Sequence, residues 1–224
     1  KNNQPMPNPW IYHGIFFSKD LENLPSHKFT RLYIEIIQFL VEELLKKNDL
    51  IALNLHPSIQ DIRPFQWSSF VKTKNLTTSI NISSTSILNL SKYKNFDNYL
   101  FNIRKVRRQE YNRCIKLDYL IEKSKDIKTL NVLHENTFKR QGIQRSDHDK
   151  LLCNEIARKA IDNNLGDLII CRNKDNEPVA GGLFLKDKKS CYYVIGATEE
   201  KERKNSPMTF IILEQIKKLF SEHI

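Results

Sequence analysis

The sequence predicts a layered α/β chain made of two related halves, and three observations carry that prediction: strand-like and helical apolar periods alternate along it, one strand–loop–helix pattern occurs twice, and apolar residues are plentiful enough for sizeable cores. Of its 224 residues, 40% are hydrophobic and 28% charged. That balance excludes collagen-like, disulfide-scaffold and wholly disordered chains.

After a lead-in with Pro5, Pro7 and Pro9, Trp10 to Phe17 reads as a short aromatic strand. Phe29, Leu32, Tyr33, Ile36, Ile37, Leu40, Val41, Leu44 and Leu45 then recur at helical spacing, with Ser26 placed as an N-cap. Leu50 to His56 reads as a buried strand stopped by Pro57, and Leu76 to Ile82 alternates like another. The Ser/Thr/Asn run from Ser83 to Ser91 marks a domain boundary, giving halves at 1–92 and 93–224. In the second half the spacing predicts one helix over 96–115, a strand over 118–122, and helices over 127–141 and 147–163, the latter capped at Ser146. Strands at 168–172, 179–185 and 191–195 precede a helix from Pro207 to Phe220 with Ser206 as its cap.

Tyr12-His13-Gly14 followed by a loop and a helix near Phe29 parallels Val194-Ile195-Gly196, a loop and a helix containing Phe210. The first helix is followed by a strand, so a matching strand is expected beyond Ile224, and the chain is expected to be a fragment clipped at both ends.

Lysine and arginine number 36 against 26 acidic residues, a net charge of +10 that favours polyanionic partners such as phosphates or nucleic acid. Background from an AT-rich coding sequence, heavy in Ile, Lys and Asn, explains part of that excess equally well. Cys114, Cys153, Cys171 and Cys191 form no C-x-x-C pair, so a reduced, cytoplasmic protein is the expectation. No run approaches the roughly 20 apolar residues of a membrane helix, and the N-terminal stretch lacks a signal-peptide core.

The six histidines lack metal-ligand spacing, and neither G-x-S-x-G nor a Walker loop occurs, so metal hydrolysis and P-loop phosphoryl transfer drop out. Arg104, Arg107 and Arg108 could grip phosphates bidentately or simply form a solvated helix face. Asp61, Arg63 and Trp67 lie just after a strand end, where α/β layers build clefts; an Asp61–Arg63 pair holding a turn is the competing explanation. Arg140 and Arg145 flank a Gly142 turn between helices. Tyr192-Tyr193, then Gly196 and a helix opening at Ser206-Pro207, resembles a strand-to-helix phosphate site, with core aromatics as the alternative.

In this order the pieces resemble the FemAB-type branch of the GNAT acyltransferases. The matching stretches are Tyr12-His13-Gly14, Leu55-His56-Pro57 with Asp61-Ile62-Arg63-Pro64-Phe65-Gln66-Trp67, Ile103-Arg104-Lys105-Val106-Arg107-Arg108, Asn136-Thr137-Phe138-Lys139-Arg140-Gln141-Gly142, and Tyr192-Tyr193-Val194-Ile195-Gly196-Ala197. The resemblance implies an α/β (α+β layered) fold of two tandem GNAT-like domains, the first and last strands missing from this fragment, and acyl or aminoacyl transfer to an amine on a nucleotide-linked or cell-envelope precursor. Acyl-CoA or aminoacyl-tRNA is the implied co-substrate. Under it Asp61 and Tyr193 are the catalytic candidates, Arg63, Trp67, Arg107, Arg108, Arg140 and Arg145 hold a phosphate-bearing substrate or tRNA, and Ser206 helps hold a cofactor. The CoA-phosphate loop of single-domain GNATs, R/Q-x-x-G-x-G/A, is not found between Gly196 and Ser206. The long helical hairpin of some tRNA-using members is missing too. Two rivals are an acyl-CoA-dependent amino-sugar N-acetyltransferase and a noncatalytic nucleic-acid-binding protein.

Overall fold

The computed structural model describes residues 12, 15–59, 61–67 and 78–222. The chain divides into two compact units, Lys1–Ile87 and Leu88–Ile224.

In the first unit, helices α1 (Lys19–Glu22) and α2 (Ser26–Lys47) precede a short helix, α3 (Arg63–Trp67). The apolar stripe read from the sequence buries Tyr33, Ile37 and Val41, one turn apart, against Phe17, Phe29, Ile59 and Phe65. Ser26 is the first helical residue rather than the cap, a position taken by Pro25 without a side-chain hydrogen bond. The three strands expected here are not built as ladders among the described residues. Ile15–Phe17 and Ile51–Asn54 run without regular pairing, and Leu55 makes only an isolated bridge. Ile80 and Ile82 lie exposed in unpaired chain, so their alternation has no apolar face to fill. The expected strand at 10–17 and the Tyr12-His13-Gly14 copy of the repeat fall largely outside the described residues.

The second unit opens with a 3-10 turn at Leu90–Lys92, then α4 (Phe96–Asn102) and α5 (Lys105–Lys116). These are two helices where one was expected. Ile103 is extended, and the freed end of α4 is satisfied locally: Asn102 Nδ2 donates to the Asn98 carbonyl at 2.7 Å, and the Arg108 guanidinium donates to the Phe101 carbonyl. The break also resolves a register conflict. Phe96 and Tyr99 before it and Tyr111 and Cys114 after it all reach one core, whereas Val106 is left 50% exposed.

Strand β1 (Leu120–Ser124), helices α6 (Ile127–Arg140) and α7 (Asp147–Asp162), strands β2 (Gly166–Arg172), β3 (Pro178–Lys186) and β4 (Cys191–Thr198), and helix α8 (Pro207–Glu222) complete the unit. The four strands form one antiparallel sheet in the order β1-β2-β3-β4. Its faces separate by residue parity: Leu168 and Ile170 pack with Leu130 of α6 and Ala157 of α7, while Ile169 and Cys171 pack with Phe210 and Ile211 of α8 and with Tyr111 of α5. Burial on both sides explains why β2 reads as a continuous apolar run.

Helix ends follow the cap chemistry. Ser146 Oγ accepts the Asp149 N–H at 3.1 Å, as expected. After α5, α6 and α7, Asp118, Gly142 and Asn164 take positive φ values of 53°, 71° and 55°, letting Tyr119, Ile143 and Leu165 donate back into the last turn.

At the other end of the sheet Asp167, 4% exposed, receives Lys123 at 2.6 Å, Lys218 at 2.9 Å and Lys186 at 3.0 Å; Lys186 also pairs with Glu222 at 2.9 Å. Burial works against the Asp167 charge, but hydrogen bonds from the three lysines outweigh it and hold the carboxyl far below the ordinary range. All four cysteines are free. Among the described residues no helix is long and apolar enough to cross a membrane.

Candidate functional site

Strand β4 carries an irregularity. Leu183 pairs with Ile195 but Phe184 pairs with Tyr193, so Val194 is an extra residue bulged out of the ladder. The bulge puts Tyr193 on the face of Phe184, their rings 5.4 Å apart, and folds its hydroxyl end over Gly196. Any side chain at position 196 would overlap that ring. Gly196 therefore lies inside β4, opposite Gly182, not in a loop beyond it as the sequence suggested. Tyr193 is still 48% exposed, and burial of its hydroxyl end raises its pKa, so the phenol stays protonated and able to donate.

The segment between β4 and α8 is also ordered differently from the loop expected. Glu200–Asn205 forms a 3-10 helix. It is tied to α5 and β1: Arg113 donates to the Lys204 carbonyl at 2.6 Å, Cys114 Sγ to the Asn205 carbonyl at 3.2 Å, and Tyr119 O–H to Glu202, while Asn205 Nδ2 donates to Tyr119 Oη at 3.0 Å and to Glu202 at 2.7 Å. Burial lifts the Cys114 thiol to about 12, which makes it a structural group, not a nucleophile.

Ser206 is not the side-chain cap expected for α8. Its backbone is left-handed, at φ 59° and ψ 48°, its carbonyl accepts the N–H groups of Thr209 and Phe210, and its hydroxyl is given to Glu110. Glu110 of α5, a residue that sequence reasoning passed over, also accepts from Thr209 Oγ1 at 3.0 Å and from Arg107 at 2.8 Å. Its only sequence signal is the three-residue spacing from Arg107 on one helix. Arg107 and Ser206, two of the expected binding residues, are thus brought together, with a carboxylate between them.

The remaining candidates lie apart. Arg108 stacks on Phe101 with its guanidinium carbon 5.6 Å from the ring centroid. Arg145 is only 9% exposed, lies over Phe138 at 5.5 Å and donates to the Asp149 carbonyl at 3.3 Å. Together with burial it holds His134 neutral, with a pKa of about 4. Arg140, in the last turn of α6, has no ion-pair or hydrogen-bond partner among the described residues. In the first unit Asp61 accepts from the Arg63 guanidinium at 2.6 and 2.8 Å and from its N–H at 3.1 Å, the turn-forming pair weighed above. Hydrogen bonding to Arg63 lowers the Asp61 pKa. Arg63 in turn stacks on Trp67 at 5.6 Å.

The second unit is thus an antiparallel sheet with α6 and α7 on one face, α8 and α5 on the other, and a bulged strand leading into α8. A family model described as an acetyltransferase (GNAT) domain matches residues 101–224, more than half of the chain. The chain belongs to that GNAT acetyltransferase-domain family. Among solved structures, the crystal structure of FemX aligns with a TM-score of 0.49 and 15% identity over 58% of this chain and 48% of that one, so the chain spans about half the length of FemX. No curated protein matches it.

GNAT acyltransferases use acyl-CoA as co-substrate, and the family's phosphate position is the start of the helix after β4. The residues present do not fit that group. Pro207 has no N–H, Thr209 and Phe210 donate theirs to the Ser206 carbonyl, no glycine lies between Gly196 and Ser206, and the Glu110 carboxylate is bonded to Thr209 Oγ1 at the start of α8, where its charge opposes a phosphate.

Proposed function

We propose that this protein transfers an acyl or aminoacyl group to an amine on a nucleotide-linked or cell-envelope sugar or peptide precursor, within two tandem GNAT-like domains of which residues 93–224 form the second. The GNAT match over 101–224 carries the reading. The ordered FemAB-like motifs, and a half-buried Arg140 with no ion-pair or hydrogen-bond partner among the described residues, support its finer parts.

Aminolysis needs a free amine against an activated carbonyl, a donor for the developing oxyanion, and an outlet for the amine proton. The new C–N bond forms as the carbonyl carbon goes tetrahedral; the bond to the carrier oxygen or sulfur breaks, and the extra ammonium proton passes to water. In this reading Tyr193, kept protonated over Gly196, lines the acyl path and presents its O–H there. Asp61, whose carboxylate is held by Arg63, is the first unit's candidate for orienting the amine, and Arg140 is the second unit's candidate for a phosphate of the acceptor. Arg107, Arg108 and Arg145 serve the fold through Glu110, Phe101 and Phe138, which removes them from the direct substrate contacts.

The test is mass spectrometry of UDP-linked amino sugars and muropeptides incubated with the chain and aminoacyl-tRNA or acyl thioesters. A mass gain on the acceptor amine supports the proposal. Loss of all transfer, with salt-sensitive binding to nucleic acid instead, would replace it with the noncatalytic rival.

A further inference from the structure

A strand-to-helix junction is a natural anion site, because the first N–H groups of the helix lack partners and the helix dipole favours negative charge. At the start of α8 Pro207 has no N–H to offer, and a carboxylate of the chain is bonded to the side chains of the first turn. Glu110, its side chain 14% exposed, reaches over from α5 and takes hydrogen bonds from Thr209 Oγ1, the Ser206 hydroxyl and Arg107. Burial alone would raise its pKa, but these three donors outweigh it and keep the group ionised. Arg107 reaches Thr209 Oγ1 as well, at 3.3 Å, so that guanidinium is already engaged on both Glu110 and Thr209.

The neighbouring chain adds nothing an anion would want. Glu199 before the 3-10 helix, with Glu200 and Glu202 in it, balances Lys201, Arg203 and Lys204, and the ties to Arg113, Cys114 and Tyr119 hold that helix in place. A diphosphate arriving here would meet a carboxylate already held by Ser206, Thr209 and Arg107.

We infer that Glu110 is a specificity-determining residue: a built-in carboxylate that occupies the anion position of α8 and excludes carriers presenting a pyrophosphate there, acyl-CoA first among them. The inference rests on the acyl-transfer reading and narrows it to donors whose carrier is held elsewhere. Glu110 touches no reacting atom in this assignment; it selects by charge and by occupancy.

Isothermal titration of the full chain with CoA, and separately with inorganic pyrophosphate, tests it. The wild type should bind CoA no tighter than about 1 mM, and Glu110→Gln, which keeps the shape but drops the charge, should bind at least tenfold tighter, a difference of about 1.4 kcal/mol. Glu110→Ala is run alongside, and affinities are read on whichever variant melts within about 5 °C of the wild type. Wild-type CoA binding below about 100 µM, or a folded variant no tighter than wild type, overturns the inference. Either outcome leaves acyl transfer standing, because the mass gain on the acceptor amine is measured independently with each donor.

Discussion

Lys186 Nζ lies 3.0 Å from Asp167 Oδ2, joining the last residue of β3 to the start of β2 beneath α8. With Lys123 and Lys218 on the same carboxylate, this is the most heavily committed acid in the second unit.

Asp167→Asn should therefore leave three lysines facing a neutral amide and destabilise the chain by about 3 kcal/mol. The folded pKa lies below the unfolded one, so the contribution is fully present above the unfolded value and fades as acid protonates the native carboxylate. Urea midpoints measured against pH should fall for the wild type between about pH 5 and pH 2 more steeply than for the variant. Parallel slopes would place the stabilisation elsewhere.

His134, held neutral by burial and by Arg145, makes a separate acid-sensitive element. Its folded pKa is about 4 against 6.5 unperturbed, so the native state binds fewer protons than the unfolded chain in that window. Stability from this residue is complete above pH 6.5 and declines toward pH 4. Arg145→Met should raise the His134 pKa, read by NMR titration of the ring protons, and should also remove the cation–π contact to Phe138.

Two glycines of the sheet should respond differently to alanine. At Gly166 the new methyl would run into the Phe184 carbonyl oxygen, a backbone atom that cannot swing away, so Gly166→Ala should destabilise by about 1–3 kcal/mol. At Gly196 it meets only the Tyr193 ring, which is half exposed and can rotate outward. Gly196→Ala should cost less than about 1 kcal/mol while displacing Tyr193, so that chemical denaturation barely changes and acyl transfer falls. Equal losses in both variants would contradict this split.

Arg140→Ala removes a side chain that has no ion-pair or hydrogen-bond partner among the described residues. Its melting temperature should stay within about 2 °C of wild type while the KM for a phosphate-bearing acceptor rises about tenfold. An unchanged KM with normal turnover would take Arg140 out of the binding surface.

Much of the second unit was legible because its signals are local. Ser146 before two acids, Gly142 after a basic turn, and the apolar run Leu168 to Cys171 each specify an element within a few residues. The break at Ile103 was not legible, since it is set by Phe96, Tyr99, Tyr111 and Cys114 competing for one core across the turn. The bulge at Val194 was hidden for a similar reason: strand periodicity says nothing about a partner strand's register. The basic helix stays open in sequence between a phosphate grip and a solvated face because charge pattern shows only the cations, while the commitments of Arg107 to Glu110 and of Arg108 to Phe101 depend on tertiary placement. In the first half, apolar alternation at 76–82 promised a strand, but alternation alone does not provide a neighbour to pair with.

The homologous stretch starts at residue 101, yet Phe96 and Tyr99 are set among Tyr111, Phe210 and Ile216, and Leu90 and Tyr93 lean on the same cluster. Anyone trimming the protein to its recognisable part would thus saw through the seat of α8. A piece beginning at 101 would offer Phe210 and Ile216 to water and clump, whereas one beginning at 88 would carry its own lid for that oily surface.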